Sequence, residues 1–287
     1  MKILVTGRAG QLVSSLVERA QHDPDVSLVA LGRPELDLER PGAAADAIAD
    51  SSPDLVINAA AFTAVDAAED DPERAFRINA DAAGEIAAAA RAAGVPIVHV
   101  STDYVFDGAS AAPYREDDPV APIGVYGRSK LAGEEQVRAA NPDHLIVRTA
   151  WVYSPFGRNF VRTMMAAARE REELRVVADQ RGNPTNALDL ADALLAIARR
   201  WQGGTIHLAG TGAASWFEFA SAIMAECALL GVPAARIVPI ATADWPTRAQ
   251  RPQDSTLDCG RAASLFGVHM PGWRESLPAV VARLAQG

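Results

Sequence analysis

Short apolar runs alternate with helical segments through the first half of this chain, and that alternation is the strongest constraint on its fold. Ile3-Leu4-Val5 reads as a buried strand, Gln11 to Ala20 as a helix, Ser27 to Leu31 as a second strand and Ala43 to Ala49 as a second helix. Asp54-Leu55-Val56-Ile57 is a third strand, ending at Asn58-Ala59-Ala60. An alanine-rich helix over Pro72 to Ala93 leads to a fourth strand, Pro96 to Ser101. A helix over Val125 to Ala139 leads to a fifth, Leu145-Ile146-Val147. Strands separated by helix-length crossovers pair in parallel, and a parallel sheet needs helices on both faces. The pattern predicts an α/β fold, a Rossmann-type doubly wound parallel sheet with ligands at the carboxyl ends of its strands.

Beyond Trp151 the alternation weakens. Asn159 to Glu170, Leu188 to Trp201, Trp216 to Leu230 and Arg274 to Leu284 read as helices, with short strands at Leu174 to Val177 and Arg236 to Ile240. Gly204 to Leu208 reads as a strand returning to the main sheet. The division expected is a dinucleotide-binding domain over 1–150, with a return segment near 186–210. Residues 151–287 would form a smaller mixed α/β region that mainly binds substrate.

Several function classes are disfavoured by bulk properties. A formal net charge of -9 leaves no basic excess to neutralise phosphates, so nucleic acid is not the expected partner. Two cysteines, Cys227 and Cys259, are too few for a disulfide framework and suit a reducing compartment. Met1 to Gly7 reads as a strand running into a turn rather than a signal peptide, and no apolar run is long enough for a bilayer. The chain reads as cytoplasmic.

The first strand runs into Gly7-Arg8-Ala9-Gly10. Gly7 and Gly10 let the backbone turn and approach a pyrophosphate, whose charge is favoured at the N-terminus of the next helix. Val13 stands where a third glycine is usual, which predicts a slightly displaced helix. The second strand ends at Gly32 and Arg33 rather than at an acid that could accept a ribose 2′-hydroxyl; Glu35 and Asp37 are the nearest carboxylates. Arg33 is either a ligand for a 2′-phosphate, which favours NADPH, or an exposed loop charge.

Downstream, Tyr126-x-x-x-Lys130 falls in the helix expected after the proline-rich loop. Four residues make about one turn, roughly 6 Å of rise, so phenol and ammonium share a face. An ammonium beside a phenol favours phenolate and lowers a pKa that starts near ~10. Such a pair passes a proton to a carbonyl oxygen while a nicotinamide passes a hydride. Ser101-Thr102 ends the fourth strand on the ligand side, where the Thr102 hydroxyl can polarise that carbonyl.

These residues carry a resemblance. The chain is similar over nearly its whole length to the dTDP-4-dehydrorhamnose reductase family of extended short-chain dehydrogenases/reductases. The similarity rests on Gly7-x-x-Gly10-Gln11-Leu12, on Asn58 through Asp66, on Ser101-Thr102-Asp103-Tyr104-Val105-Phe106-Asp107-Gly108 and on Val125-Tyr126-Gly127-x-x-Lys130 through Glu134. It continues in Arg148 through Tyr153, Asn159-Phe160, Asp179-Gln180-x-Gly182-x-Pro184-Thr185 and Arg251-Pro252-x-x-Ser255-x-Leu257. The resemblance implies reduction of the C4 keto group of dTDP-4-dehydro-6-deoxy-L-mannose to dTDP-L-rhamnose by NADPH, with NADH also accepted. It implies Tyr126 as proton donor beside Thr102 and Lys130, and sugar-nucleotide contacts from Thr102, Asp103 and Trp151. Gly10, Gln11, Leu12, Asp37, Leu38, Ala60, Phe62 and Thr63 would line the dinucleotide.

Some members of the family dimerise through Mg²⁺ held by glutamates. Ser15 and Leu188 occupy the corresponding positions, and neither can serve a hard cation. A monomer without a metal is expected. Three rivals share the fold. A sugar-nucleotide 4,6-dehydratase needs a second acid after Asp103, where Tyr104 stands. Another dTDP-sugar 4-ketoreductase is not separable by motif. A non-catalytic NADP-binding regulatory subunit has no use for Thr102, Tyr126 and Lys130 together.

Overall fold

A computed structural model describes residues 1–286. Six parallel strands form the central sheet in the order β10-β5-β4-β3-β1-β2. They are β1 (Lys2–Thr6), β2 (Ser27–Leu31), β3 (Leu55–Asn58), β4 (Ile97–Thr102), β5 (His144–Thr149) and, much later in the chain, β10 (Gly204–His207). The order reverses between β1 and β3, and in open parallel sheets the crevice at such a reversal is where ligands bind. Helices cover both faces. On one, α1 (Gln11–Ala20) and α8 (Ala187–Ala198) bury Leu12, Val13, Leu16, Leu190 and Leu194 against Ile3, Val5, Ile57 and Val147. On the other, α2 (Ala43–Ser51) and α5 (Ala82–Ala92) bury Ile48, Ala83, Ile86 and Ala87 against Leu4, Val56 and Ile146.

The alternation expected from sequence is present, and the returning strand pairs in register with β5 from Gly204↔Leu145 to His207↔Arg148. One departure has a local cause. The alanine-rich helix is not uniform: α3 (Val65–Asp70) and α4 (Pro72–Phe76) precede a π-helical turn over Arg77–Asp81 before α5. The wide turn turns Asn79 inward, where its side chain accepts from the Phe62 amide and donates to Phe62 carbonyl oxygen and Ser129 Oγ. The alanines earn their place by close approach, for α5 packs on α6 (Val125–Ala140) so tightly that a Cβ on Gly84 would lie 2.5 Å from Gln136 Oε1.

Past β5 the chain builds small pieces: β6 (Val152–Tyr153), α7 (Phe160–Ala168), β7 (Glu173–Val177), β8 (Arg181–Gly182), β9 (Thr185–Asn186), β11 (Ala214–Ser215), α9 (Trp216–Leu229), β12 (Arg236–Ile240), α10 (Gly260–Phe266) and α11 (Trp273–Ala285). Their strands pair two at a time, β7 with β12, β8 with β11 and β6 with β9. A second apolar cluster centred on Tyr153, Phe219, Ile223, Trp273 and Val280 holds this region together. Among the described residues, no helix is long and apolar enough to cross a membrane.

Candidate active site

The carboxyl ends of β1, β2 and β3 frame a cleft of about 410 Å³, lined by Gly7, Arg8, Gly32, Arg33, Asp37, Leu38, Glu39 and Ala60 among others. Gly7 has φ +105°, a backbone that other residues adopt only under strain, and a Cβ there would sit 3.0 Å from Val13 Cγ2. Val13 thus fills the notch beside the turn, in the place expected of a third glycine. Gly10 differs from the expectation of a strained turn: its φ is -72° and ψ 154°, ordinary extended values. Its lack of a side chain matters instead because it leaves open space at the head of α1, where no side chain caps the helix. The first-turn amides are left for a ligand anion.

The other dinucleotide candidates separate. Arg33, Asp37, Leu38 and Ala60 face the cleft. Leu12 is buried in the apolar core, so only its backbone can meet a ligand, and Gln11 is turned away: its side chain donates to Val152 carbonyl oxygen and accepts from Ser154 Oγ. Phe62 and Thr63 lie in the loop after β3, Phe62 partly buried and pinned by Asn79, Thr63 exposed. Three arginines that ring the cleft are already paired, Arg8 with Glu35, and both Arg33 and Arg74 with Glu39. A larger cleft of about 530 Å³ lies at the other end of α1, but Arg19–Asp192 and Arg199–Asp23 pairs occupy it.

Thr102, Tyr126 and Lys130 are brought together at the next strand end. Tyr126 is the second residue of α6, whose first amide, that of Val125, donates to Glu69 Oε1 at 2.7 Å. Gly127 lets α6 sit against the chain after β4, since a Cβ would lie 2.2 Å from Tyr104 carbonyl oxygen. The Tyr126 hydroxyl lies near the Thr102 side chain, and burial pushes its pKa up to about 12. That reverses the lowered phenol pKa expected from Lys130. The lysine, 2% exposed, turns inward: Nζ donates to Val100 carbonyl oxygen at 2.7 Å and lies 3.4 Å from His99 Nε2. Burial brings the Lys130 pKa down to about 8. The two groups share a helix face without a hydrogen bond between them.

Asp103 is equally enclosed. Oδ1 accepts from Thr102 Oγ1 at 3.0 Å and Oδ2 from Ser255 Oγ at 2.5 Å, and burial lifts its pKa to about 6 against the pull of those bonds. Tyr104 stands edge-on to Tyr126 with ring centroids 5.6 Å apart. An aromatic ring therefore occupies the place where a dehydratase would carry its second acid.

Trp151 follows β5, two residues past Thr149, the register partner of Thr102. Its φ of 44° is rare for a residue with a side chain. The indole lies parallel to Trp216 at 3.5 Å between ring centroids, and a Cβ on Gly182 would come within 2.6 Å of it. Strain held by packing on both sides is characteristic of functional positions.

Motif stretches far apart in the chain meet here. Asp66 pairs with Arg251 at 2.7 Å, and Gly108, with φ +81°, leaves room for Pro252. Ser255, His99, Asn58 and Arg8 carry no role in the sequence reading. A histidine inside an otherwise apolar strand was the available signal for His99. Ser15 and Leu188, read from sequence as standing where some relatives carry metal-binding glutamates, are both buried, Ser15 Oγ donating to Gln11 carbonyl oxygen. Among the described residues no three His, Cys, Asp or Glu side chains converge into a cluster that could hold a metal ion.

A doubly wound sheet with a glycine turn after β1 and a Thr/Tyr/Lys site after β4 defines an extended short-chain dehydrogenase/reductase. Residues 1–286 match the family described as the RmlD substrate binding domain, and the chain belongs to that family. It is 45% identical over 283 residues to a dTDP-4-dehydrorhamnose reductase of Sinorhizobium fredii, covering 96% of this chain and 95% of that one. The crystal structure of a dTDP-4-dehydrorhamnose reductase from Clostridium acetobutylicum superposes with a TM-score of 0.93 at 38% identity, covering 100% of both chains. The Bacillus anthracis dTDP-4-dehydrorhamnose reductase, solved in complex with NADP, gives 0.91 at 35% identity and 98% coverage of both.

Proposed function

We propose that the chain is a dTDP-4-dehydrorhamnose reductase that uses NADPH to reduce the C4 keto group of dTDP-4-dehydro-6-deoxy-L-mannose to the alcohol of dTDP-L-rhamnose. The carrying observation is the convergence of Thr102, Tyr126 and Lys130 at the strand edge beside the cleft. The residues present fit a dinucleotide: a glycine turn at positive φ, a helix head without a cap, and a neighbouring cleft walled by Ala60. When bound, the nicotinamide supplies the hydride.

This chain's own groups do the rest. Tyr126 is a neutral phenol at pH 7, the form that can donate a proton to the oxygen developing negative charge at C4. The Thr102 hydroxyl lies beside it and orients that oxygen. Lys130 supplies positive charge at the same face and would hold the cofactor ribose. Asp103, fixed by Thr102 and Ser255, shapes the sugar pocket, and Trp151 walls it. Gly7, the open head of α1 at Gly10, and Ala60 would hold the pyrophosphate; Asp37, Leu38 and Arg33 would hold the adenosine end. Residues 151–287 carry most of the sugar-nucleotide site against the sheet domain, the two cysteines are free as suits the cytoplasm, and the working unit is a monomer without a structural metal.

Purified protein given NADPH and the 4-keto sugar nucleotide should oxidise the cofactor with formation of dTDP-L-rhamnose, identified by NMR. A product epimeric at C4 would reassign it as a different dTDP-sugar 4-ketoreductase. Cofactor binding with no turnover on any 4-keto sugar nucleotide would make it a binding subunit.

A further inference from the structure

A buried polar chain runs between the cofactor cleft and Lys130 and has no part in the mechanism above. The Ala60 amide donates to Thr6 Oγ1 at 3.1 Å, and Thr6 Oγ1 donates onward to Asn58 Oδ1 at 2.7 Å. A hydroxyl has one proton, and Thr6 gives it to Asn58. The Asn58 amide then turns its N–H toward His99 Nδ1, 3.0 Å away. Nδ1 is the acceptor, so a neutral His99 ring carries its proton on Nε2. That is the atom 3.4 Å from Lys130 Nζ.

An imidazole N–H can donate to a neutral amine, but against an ammonium it sets donor to donor. Lys130 Nζ has one good acceptor, Val100 carbonyl oxygen. The charged groups packed around the pair are Glu134 and Arg138 from α6 and Arg148 from β5; Tyr126 and Asp103 lie at the same strand end. Glu134 alone among the nearest groups favours the ammonium, and its carboxylate already accepts from Ser101, Arg138 and Arg148. Gly133 lets α6 approach the π-turn, since a Cβ there would lie 2.0 Å from Asn79 carbonyl oxygen; His99 Nε2, at 3.5 Å, would only touch it.

We propose that His99, with its tautomer fixed by Thr6 through Asn58, is a positioning residue that sets the charge state of Lys130. The orientation of one amide, 2% exposed at the end of β3, decides how readily the lysine carries a proton beside Tyr126. Burial already brings Lys130 down to about 8 and holds His99 well below its ordinary value, so the ring stays neutral through the working range. The kinetic half of this inference rests on the reductase reading; the tautomer does not.

Ring ¹⁵N NMR on the ligand-free protein tests the tautomer directly, with the His99 signals assigned by their loss in His99→Gln. The expected result is an unprotonated Nδ1 and a protonated Nε2 that do not change between pH 6 and about 9. An Nδ1–H tautomer, or an imidazolium in that range, overturns the proposal. Asn58→Asp tests the consequence, because a carboxylate of the same shape accepts from Nδ1–H and leaves Nε2 to accept from the ammonium. The basic limb of kcat/KM for the cofactor should move up by about one pH unit or more. Structural damage alone would lower kcat/KM without moving the limb, and coincident limbs overturn the proposal. If Asn58→Asp does not fold, the NMR result on the unaltered chain decides. If the chain turns over no sugar nucleotide, the reductase reading fails while the tautomer stands or falls by itself.

Discussion

The cofactor cleft and the catalytic corner lie at one edge of one sheet but are held in opposite ways. Around the cleft the walls are backbone and small residues, and the arginines at its rim form exposed pairs, Arg8–Glu35 and Arg33–Glu39–Arg74. Exposed pairs of this kind contribute about 0–1 kcal/mol and exchange partners freely. In the corner, Thr102, Asp103, Lys130 and Ser255 are buried and bonded to one another or to main chain. Behind them Glu134 and Arg148 form an ion pair, 0% and 3% exposed, that ties α6 to β5. Breaking such a pair from one side costs about 3–5 kcal/mol. The binding edge is adjustable, whereas the reacting edge is pre-organised, as transition-state stabilisation requires.

If that contrast holds, substitutions in the corner should act on kcat and those at the rim on cofactor choice. The largest effect belongs to Tyr126→Phe, expected to lower kcat by about 10²–10⁴-fold with cofactor affinity nearly intact in a fluorescence titration. Lys130→Met should lower both kcat and cofactor affinity by about 10–100-fold each, because one charge-assisted donor serves two purposes. A Lys130→Met loss confined to cofactor affinity would move the lysine to the rim's side of the comparison.

Asp103→Asn separates pre-organisation from stability. The folded pKa of about 6 stands above the ordinary 3.8, so the native state holds an extra proton between those values. Stability from this group is therefore lost as pH rises from about 4 through 6, and the penalty remains at pH 7. The asparagine variant should be more stable at pH 7 by up to about 3 kcal/mol, with the gain vanishing near pH 4. Denaturant melts of both proteins across that range check it. Their difference isolates Asp103 from His207, which burial lowers to about 4 and which works in the other sense, costing stability as pH falls from 6.5 toward 4. Less activity from a more stable protein would show the strain to be functional.

Smaller effects belong to the rim. Arg33→Ala should weaken NADPH about 3–10-fold and spare NADH, measured as the ratio of their KM values. Equal losses for both would leave Arg33 a surface charge paired with Glu39. Smallest of all is the effect of EDTA, which should change neither sedimentation nor turnover. A dimer that dissociates on chelation would overturn the metal-free monomer.

What was legible in the sequence follows the same divide. β1 to β5 and their helices were readable because each is an apolar run or periodic stretch bounded by turn residues. Gly7, Thr102, Tyr126 and Lys130 were readable because strand ends and a one-turn spacing place them. The direction of Lys130 was not, since it depends on Val100 carbonyl oxygen and His99, thirty residues back on a neighbouring strand. The π-turn at Arg77–Asp81 was hidden for a different reason: the alanine-rich α5 that follows it carries no phase against which an inserted residue could be read. Leu12 belonged to the core by its spacing from Leu16, one helical turn on, a clue that the glycine motif overshadowed. The two-residue strands past Trp151 exist only through their tertiary partners.

The late return of β10 has a consequence for the chain as it is made. β5 carries fully buried Leu145, Ile146 and Val147, yet its outer edge has no partner until Gly204–His207 emerges, about 55 residues later. At roughly 5–20 residues per second, the ribosome leaves that edge open for about 3–11 s. An unpaired, apolar edge strand is a template for wrong pairing with another nascent chain. Prematurely terminated products ending just before Gly204 should accordingly pair wrongly through the β5 edge more than products ending just past His207, with the second apolar cluster open in both.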